Sequence, residues 1–323
     1  MRWRRAARCG AVGGHMTLGI QKSAGAATKR SRGGSKTAAK AGAVTRGAAE
    51  PTASVRRSAA RAKDGSGQVE RAVRHRLTAG SALRDLADAA SFLKKMGLLM
   101  QTPHPFLPSV FGAAQGKPAK PGAGGFGQWP AHAWSWAGEL AERKDVVLTK
   151  VILGKRTLIH EALWPALDGV VRRQAERSWP ADAEAILNVL KKRKKVRTDE
   201  LHVLAGFDVK VAKKRYDRAM HQLEWSGLVI CTPALVDNHK HVSIAELWTH
   251  KFPKSLGDKS GLRHFIVAAI DASGPVPKRE VLKWFEWPRD EVEQALTALL
   301  AGGDLRLTNG LLASGESGSA ALQ

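Results

Sequence analysis

The stretch DVKVAKKRYDRAMHQLEWS, Asp208 to Ser226, has the composition of a helix whose two faces ask for different partners. At about 100° per residue, Ala212, Tyr216, Ala219, Met220 and Leu223 fall within one narrow apolar arc. The opposite arc carries Lys210, Lys213, Lys214, Asp217, Arg218 and His221, all but Asp217 basic or able to become so. The first face belongs against a protein core and the second against a polyanion.

The flanking residues give this helix its context. Upstream, Asp182 to Lys195 has a helical apolar pattern at Ile186, Leu187, Val189 and Leu190. Thr198 can then cap a short helix, Asp199 to Ala205, that ends in a turn at Gly206. Downstream, Gly227 stops the long helix, Leu228 to Thr232 reads as a strand, and Asp237-Asn238 turns the chain into a second strand, Val242 to Leu247. Three helices followed by strand, wing and strand is the order of a winged helix-turn-helix, whose third helix usually enters the major groove.

The grammar returns 76 residues later: laying Tyr216–Thr232 on Val292–Thr308 without a gap superposes Ala219 on Ala295, Leu223 on Leu299, Gly227 on Gly303 and Thr232 on Thr308. The second copy begins with a helix over 261–272 and continues through Lys278 to Phe285. Its third helix exposes Arg289, Asp290, Glu293, Gln294 and Thr297, a poor surface for phosphate. Strand alternation predicts that Val229 and Cys231 face the core of the first copy, and Leu305 and Leu307 that of the second.

Of the 323 residues, 1–67 are almost entirely Ala, Gly, Ser, Thr, Lys and Arg, too poor in bulky apolar side chains to offset backbone entropy. This basic arm holds 15 Lys or Arg against Glu50 and Asp64, a net of +13 out of the chain's +23, so the remaining residues carry +10. Dispersed cations of this kind suit a phosphate backbone, since each contact releases condensed counterion and demands no fixed geometry.

No apolar run is long enough to span a bilayer, and no apolar stretch follows Arg2, Arg4, Arg5 and Arg8, so a cytoplasmic, nucleoid-associated protein without membrane contact is expected. Cys9 and Cys231 are the two cysteines, one in the arm and one in a strand, and a structural disulfide is not expected.

In the middle of the chain, Gln68 to Leu99 has a helical pattern, followed by a Pro-rich segment and a Gly, Pro and Lys loop from Gly112 to Gly127. Gly112, Gly116 and Lys117 do not make a phosphate loop: the spacing is one residue short, and Pro118 stands where a hydroxyl would hold magnesium. Trp129, Trp134 and Trp136 can stack on bases, but large aromatics beside a helix start more often pack. Val146 to Ile159 fits two strands or a strand and a helix equally well. His239-Lys240-His241 in the predicted wing lacks the Cys or carboxylate partners of a metal site, so phosphate contact is the expected role; no cofactor and no metal are expected.

Trp134-x-Trp136, Leu140, Lys150-Val151-Ile152, Thr157-Leu158 and Leu163-x-Pro165, followed by Tyr216-Asp217-Arg218-Ala219 and Gln222-Leu223, resemble bacterial proteins related to the winged-helix DNA glycosylases of the AlkZ and YcaQ type. The resemblance spans about residues 70–313. It implies three tandem winged helices around a DNA-binding cleft, the first of them divergent and lying within 68–165, in a family whose enzymes excise alkylated bases and unhook interstrand crosslinks. It also implies a Gln-x-Gln or Gln-x-Asp pair that positions the attacking water. Here the nearest equivalent is Leu99-Met100-Gln101, so Gln101 occupies the second place and Leu99, which cannot orient water, the first. His104 is a possible replacement group.

The expectation is therefore a mainly α chain with small β wings: arm 1–67, divergent first domain 68–180, winged helix 181–253, second repeat 259–313 and tail 314–323. Double-stranded DNA is the expected partner. Lys191, Lys192, Arg193, Lys194, Lys195, Lys213, Lys214 and Arg218 would dock phosphate, Lys210 and His221 would lie nearer the bases, and His239, Lys240 and His241 would touch from the wing. A winged-helix transcription regulator without catalysis is the alternative.

Overall fold

The computed structural model describes residues 67–118, 130–207, 210–236, 240–257 and 261–315. Almost all of the basic arm, the end of the tail, Trp129 and His239 lie outside the described residues, as do the side chains of Lys240 and His241.

After helix α1, helical over 67–74, one order of elements occurs three times. In the first module it is α2 (Leu86–Met96), β1 (Leu98–Met100), α3 (Val110–Gln115), α4 (Ala131–Glu142), β2 (Val146–Ile152) and β3 (Lys155–His160). A single turn, Glu161–Leu163, and α5 (Trp164–Ala175) lead to the second module. This comprises α6 (Ala181–Lys192), β4 (Lys195–Arg197), α7 (Thr198–Leu204), α8 (Lys210–Ser226), β5 (Val229–Val236) and β6 (Lys240–Leu247). Past α9 (Trp248–Lys251), the third module runs α10 (Gly261–Ser273), β7 (Val276–Pro277), α11 (Lys278–Val281), α12 (Arg289–Ala301), β8 (Leu305–Thr308) and β9 (Leu311–Ser314). The three sheets have orders β1-β3-β2, β4-β6-β5 and β7-β9-β8, antiparallel throughout, so each module places its last strand in the middle. The result is mainly helical with three small antiparallel sheets.

Several local expectations are corrected. The helical pattern of 68–99 is broken: Arg76 has φ 58°, Gly80 φ 78°, and Ser81 and Thr78 bond across a turn before Asp85 caps α2 through the Asp88 amide at 2.7 Å. Gly97, at φ 73°, ends α2, and Leu98 and Leu99 go into a strand. The Val146–Ile159 ambiguity resolves as two strands. Leu307 is not core but 54% exposed, toward the turn end of the edge strand β8, while its cross-strand partner Leu312 in the central β9 is fully buried. Cys231 is half-buried, whereas Val229 and Leu305 are buried as expected.

The modules are joined by buried polar contacts as well as apolar ones. Asp168 of α5 is fully buried and accepts from Arg172 Nε (2.8 Å), Trp248 Nε1 (2.7 Å) and the Leu256 amide (2.9 Å). Arg172 also donates to the carbonyls of Phe252 (2.6 Å) and Lys254 (2.9 Å). Burial works to raise the Asp168 pKa, but Arg172 and the neutral donors together hold it below the ordinary carboxylate value. α5 also packs along α10, so closely that Gly261 lies against the Ala166 carbonyl with no room for a side chain. At the negative end of α10 two cations and a neutral imidazole gather: Arg71 donates to Ser273 O (3.0 Å) and to Pro275 O, Arg74 pairs with Asp271 (2.6 Å), and His75 bonds Ala272 O (2.9 Å).

Two predictions come from these joints. Asp168→Ala leaves the buried Trp248 indole N–H and the Leu256 amide without their acceptor and a part-buried guanidinium without its counter-charge, and is expected to cost about 2–3 kcal/mol in urea unfolding; a loss well below that would show the network to be dispensable. His75 and His104 are both pulled down to about 4, first by burial and then by neighbouring cations, with Glu280 opposing the shift at His104. Each is neutral when folded and binds a proton more readily when unfolded, so its contribution is complete above pH about 6.5 and is lost as pH falls toward 4. The thermal midpoint should drop between pH about 7 and about 5, and less steeply in His75→Gln.

Candidate nucleic-acid interface

Helix α8 divides as its sequence dictates. Ala212, Tyr216, Ala219, Met220 and Leu223 are all buried, with Leu223 at 0% exposure, while Lys210, Lys213, Lys214, Arg218 and His221 are exposed. Lys213 reaches Asp217 one turn on (3.3 Å), and Arg215, absent from the sequence-based set, ties the flank of α8 to Asp182 of α6.

The register decides which basic residues share a surface. Tyr216 reaches the Thr198 carbonyl and Glu224 meets the Cys231 thiol, and α8 ends at Ser226 just before β5 begins, so α8 runs back against β5 with its first half toward the β5–β6 turn. Lys195 pairs with Glu246, six residues along β6 from Lys240, which at ~3.3 Å per residue is about 20 Å away. Lys191 to Lys195 are all exposed, but they lie at the end of the sheet away from that turn. Adjacency in sequence does not put this run beside the front half of α8.

His221, expected with Lys210 nearer the bases, is exposed on α8 and also meets the first module. The β2–β3 turn, with Leu153 at φ 56° and Gly154 at φ 62°, presses against the His221 ring, which also packs on Trp225 at 5.5 Å. A Cβ at Gly154 would overlap that imidazole. The same turn reaches the third module: the Trp284 carbonyl accepts both the Leu153 amide (2.7 Å) and the Trp225 indole N–H (3.1 Å).

Gln101 continues β1 opposite Arg156, its amide donating to the Arg156 carbonyl (2.9 Å) and its carbonyl accepting from Phe111 (3.2 Å). Leu99 faces Leu158 in the core at 0% exposure. By the pleat, Gln101 and Arg156 share a sheet face with Leu158 and Leu148. His104 turns elsewhere, with Nε2 3.9 Å from Glu280 of α11. Trp134 and Trp136 pack against the core, Trp134 edge-on to Phe111 at 4.7 Å.

Between the first module's sheet and α8 is a cavity of about 330 Å³ that sequence reasoning missed, since its wall comes from two modules. Leu148, Met220 and Val229 form an apolar floor, and Lys150 bonds Glu224 across the module boundary at 2.6 Å. Burial, with Glu224 beside it, pushes the Cys231 thiol well up from its ordinary value. Burial likewise raises the Tyr216 phenol, whose hydroxyl makes only a long bond to Thr198 O (3.4 Å). The Thr149 hydroxyl is buried without a partner.

The structure thus defines a mainly helical protein of three repeated helix and strand modules, with a cationic helix face beside an inter-module cavity. The model of a family described as AlkZ related matches residues 83–240, from before α2 to the first residue of β6, and over that span the chain is related to the AlkZ- and YcaQ-like glycosylases. Neither the curated proteins nor the solved structures gave a match. Among the described residues no helix is long and apolar enough to cross a membrane.

Because the Cys231 thiol is held protonated at neutral pH, it is expected to react with iodoacetamide far more slowly in the folded protein than in urea. Equal rates would mean that its strand is open to solvent.

Proposed function

We propose that this chain is a DNA-binding protein of three tandem winged helices, acting in DNA repair alongside the alkylpurine and crosslink glycosylases to which it is related. The observation that carries this reading is the division of α8, with five side chains sunk in the core and Lys210, Lys213, Lys214 and Arg218 outward on the opposite arc. In a winged helix that arc faces the major groove and its cations meet phosphate. Lys240 and His241, with His239, supply the wing contacts, and the basic arm adds sequence-independent affinity by counterion release. Lys191 to Lys195 meet the backbone at a separate point, and a cytoplasmic, nucleoid-associated location fits such a protein.

The proposal rests on binding rather than base excision. Of the amide pair that the family resemblance implies, Gln101 alone remains, and its companion position is filled by a core leucine.

Changing Lys213, Lys214 and Arg218 together to Ala leaves Tyr216, Met220 and Leu223 in place, so the fold should persist. Affinity for duplexes of any sequence should fall, and the slope of log K against log salt should shrink by roughly 0.9 per lost contact. Gln101→Ala should leave duplex affinity unchanged and abolish any release of N7-alkylated purine. Unaltered affinity in the triple variant would remove α8 from the interface.

A further inference from the structure

A smaller hollow, of about 150 Å³, opens beside the second module where α5 turns into α6. Its floor is Leu187, Leu228 and Leu247, all buried; Ala175 at the end of α5 and Trp179 form one wall, and α9 closes the far side. Glu184, Leu187 and Lys191 border it together because three- and four-residue spacing puts them on one face of α6. Contacts within the chain already fix the aromatic wall. The Trp179 indole N–H donates to the Gln174 carbonyl (3.1 Å), and Arg177, which donates to the Gln174 side chain (2.6 Å), stands 5.9 Å over the Trp179 ring.

Size and charge select the occupant. Small-molecule sites start at ~300 Å³, so this hollow accommodates one bulky apolar side chain and not a whole cofactor. Cations surround it: Arg177 beside Trp179, Lys191 on the rim with Lys192, Arg193 and Lys194 continuing from it, and Lys251 at the end of α9, all exposed. Against them stand Glu176 and Glu184, the second already 4.0 Å from Lys191. Within the run 191–195, Lys191 borders this hollow, whereas Arg193 and Lys195 border a different one with Arg197 and Glu200. The hollow reaches Leu228, past the end of α8, and Arg218 of the proposed DNA face lies about 12 Å back along that helix.

We propose that this hollow docks an acidic peptide segment of a partner protein, which inserts one Phe or Leu side chain over Leu187 and Leu247 while its carboxylates meet Lys191 and Arg177. An apolar anchor in a pocket with charges at the rim is the usual division of labour at a peptide interface. A duplex backbone offers the charge but no side chain for the floor. The inference goes beyond the DNA-binding reading and does not rest on it.

Anisotropy of fluorescein-labelled Glu-Asp-Glu-Phe-Asp-Glu titrated with the full chain tests this docking. Replacing the peptide's Phe by Ala should weaken binding roughly tenfold or more, as expected for burying one aromatic side chain, and replacing its acids by Lys should abolish it. Lys191→Glu should weaken the parent peptide roughly fivefold at low salt. Ala175→Phe, at an exposed position, fills the hollow and should remove peptide binding at unchanged thermal midpoint and unchanged duplex affinity. The Phe and Ala peptides are compared on the unaltered protein, so the anchor is tested even if that variant is destabilised. Peptide binding that survives the triple change of Lys213, Lys214 and Arg218 supports a site separate from α8. Equal affinity for the Phe and Ala peptides reduces the surface to a patch of cations and overturns the proposal. So does a loss of duplex affinity in stably folded Ala175→Phe, which would give the hollow to DNA, or self-association that this variant abolishes, which would make a second copy the occupant.

Discussion

One buried carboxylate determines how the modules lie together. Asp168 sits in α5, the helix between the first two modules, and it binds the Trp248 indole and the Leu256 amide, both in the segment that leads from the second module to the third. A charge taken so completely out of water is tolerable only when its acceptor sites are filled, and here Arg172 fills the remainder while gripping two carbonyls of the same segment. The exit from the second module is therefore fixed to the entrance, and α10 is brought along α5 at the contact where Gly261 meets the Ala166 carbonyl.

The cavity depends on a second joint. Neither the first module's sheet nor α8 encloses it alone; Lys150 and Glu224 close the gap, and Gly227, at φ 90°, lets Val151 and Val171 approach where a Cβ would stand under 3 Å from each. Lys150 is the only cation shown within bonding distance of Glu224 among the described residues, so the pair serves both as a joint between modules and as part of the cavity wall.

The helix-period pattern of 208–226 gave both the buried and the exposed face of α8, because 3.6-residue periodicity survives any tertiary context that keeps one side in a core. The second and third modules were legible for the same reason, together with glycine stops at Gly227 and Gly303. The first module was less so: α1, a turn and α2 merge into one apparent helical run from Gln68 to Leu99, and a three-residue strand leaves almost no period to read. β4 is hidden likewise, since its first residue, Lys195, closes the helical pattern that begins at Asp182. Leu307 misled because alternation predicts a face but not whether helices cover that edge of the sheet. The Lys150–Glu224 pair, 74 residues apart, and the cavity lining were beyond any local pattern.

At the meeting point of the three modules the acceptor is the main-chain oxygen of residue 284, which accepts one hydrogen bond from the tip of the first module's hairpin and one from an indole on α8. Every amino acid has that oxygen. The seat of the third module is thus specified in part by where the backbone runs, leaving the identity of the side chains there comparatively free to drift.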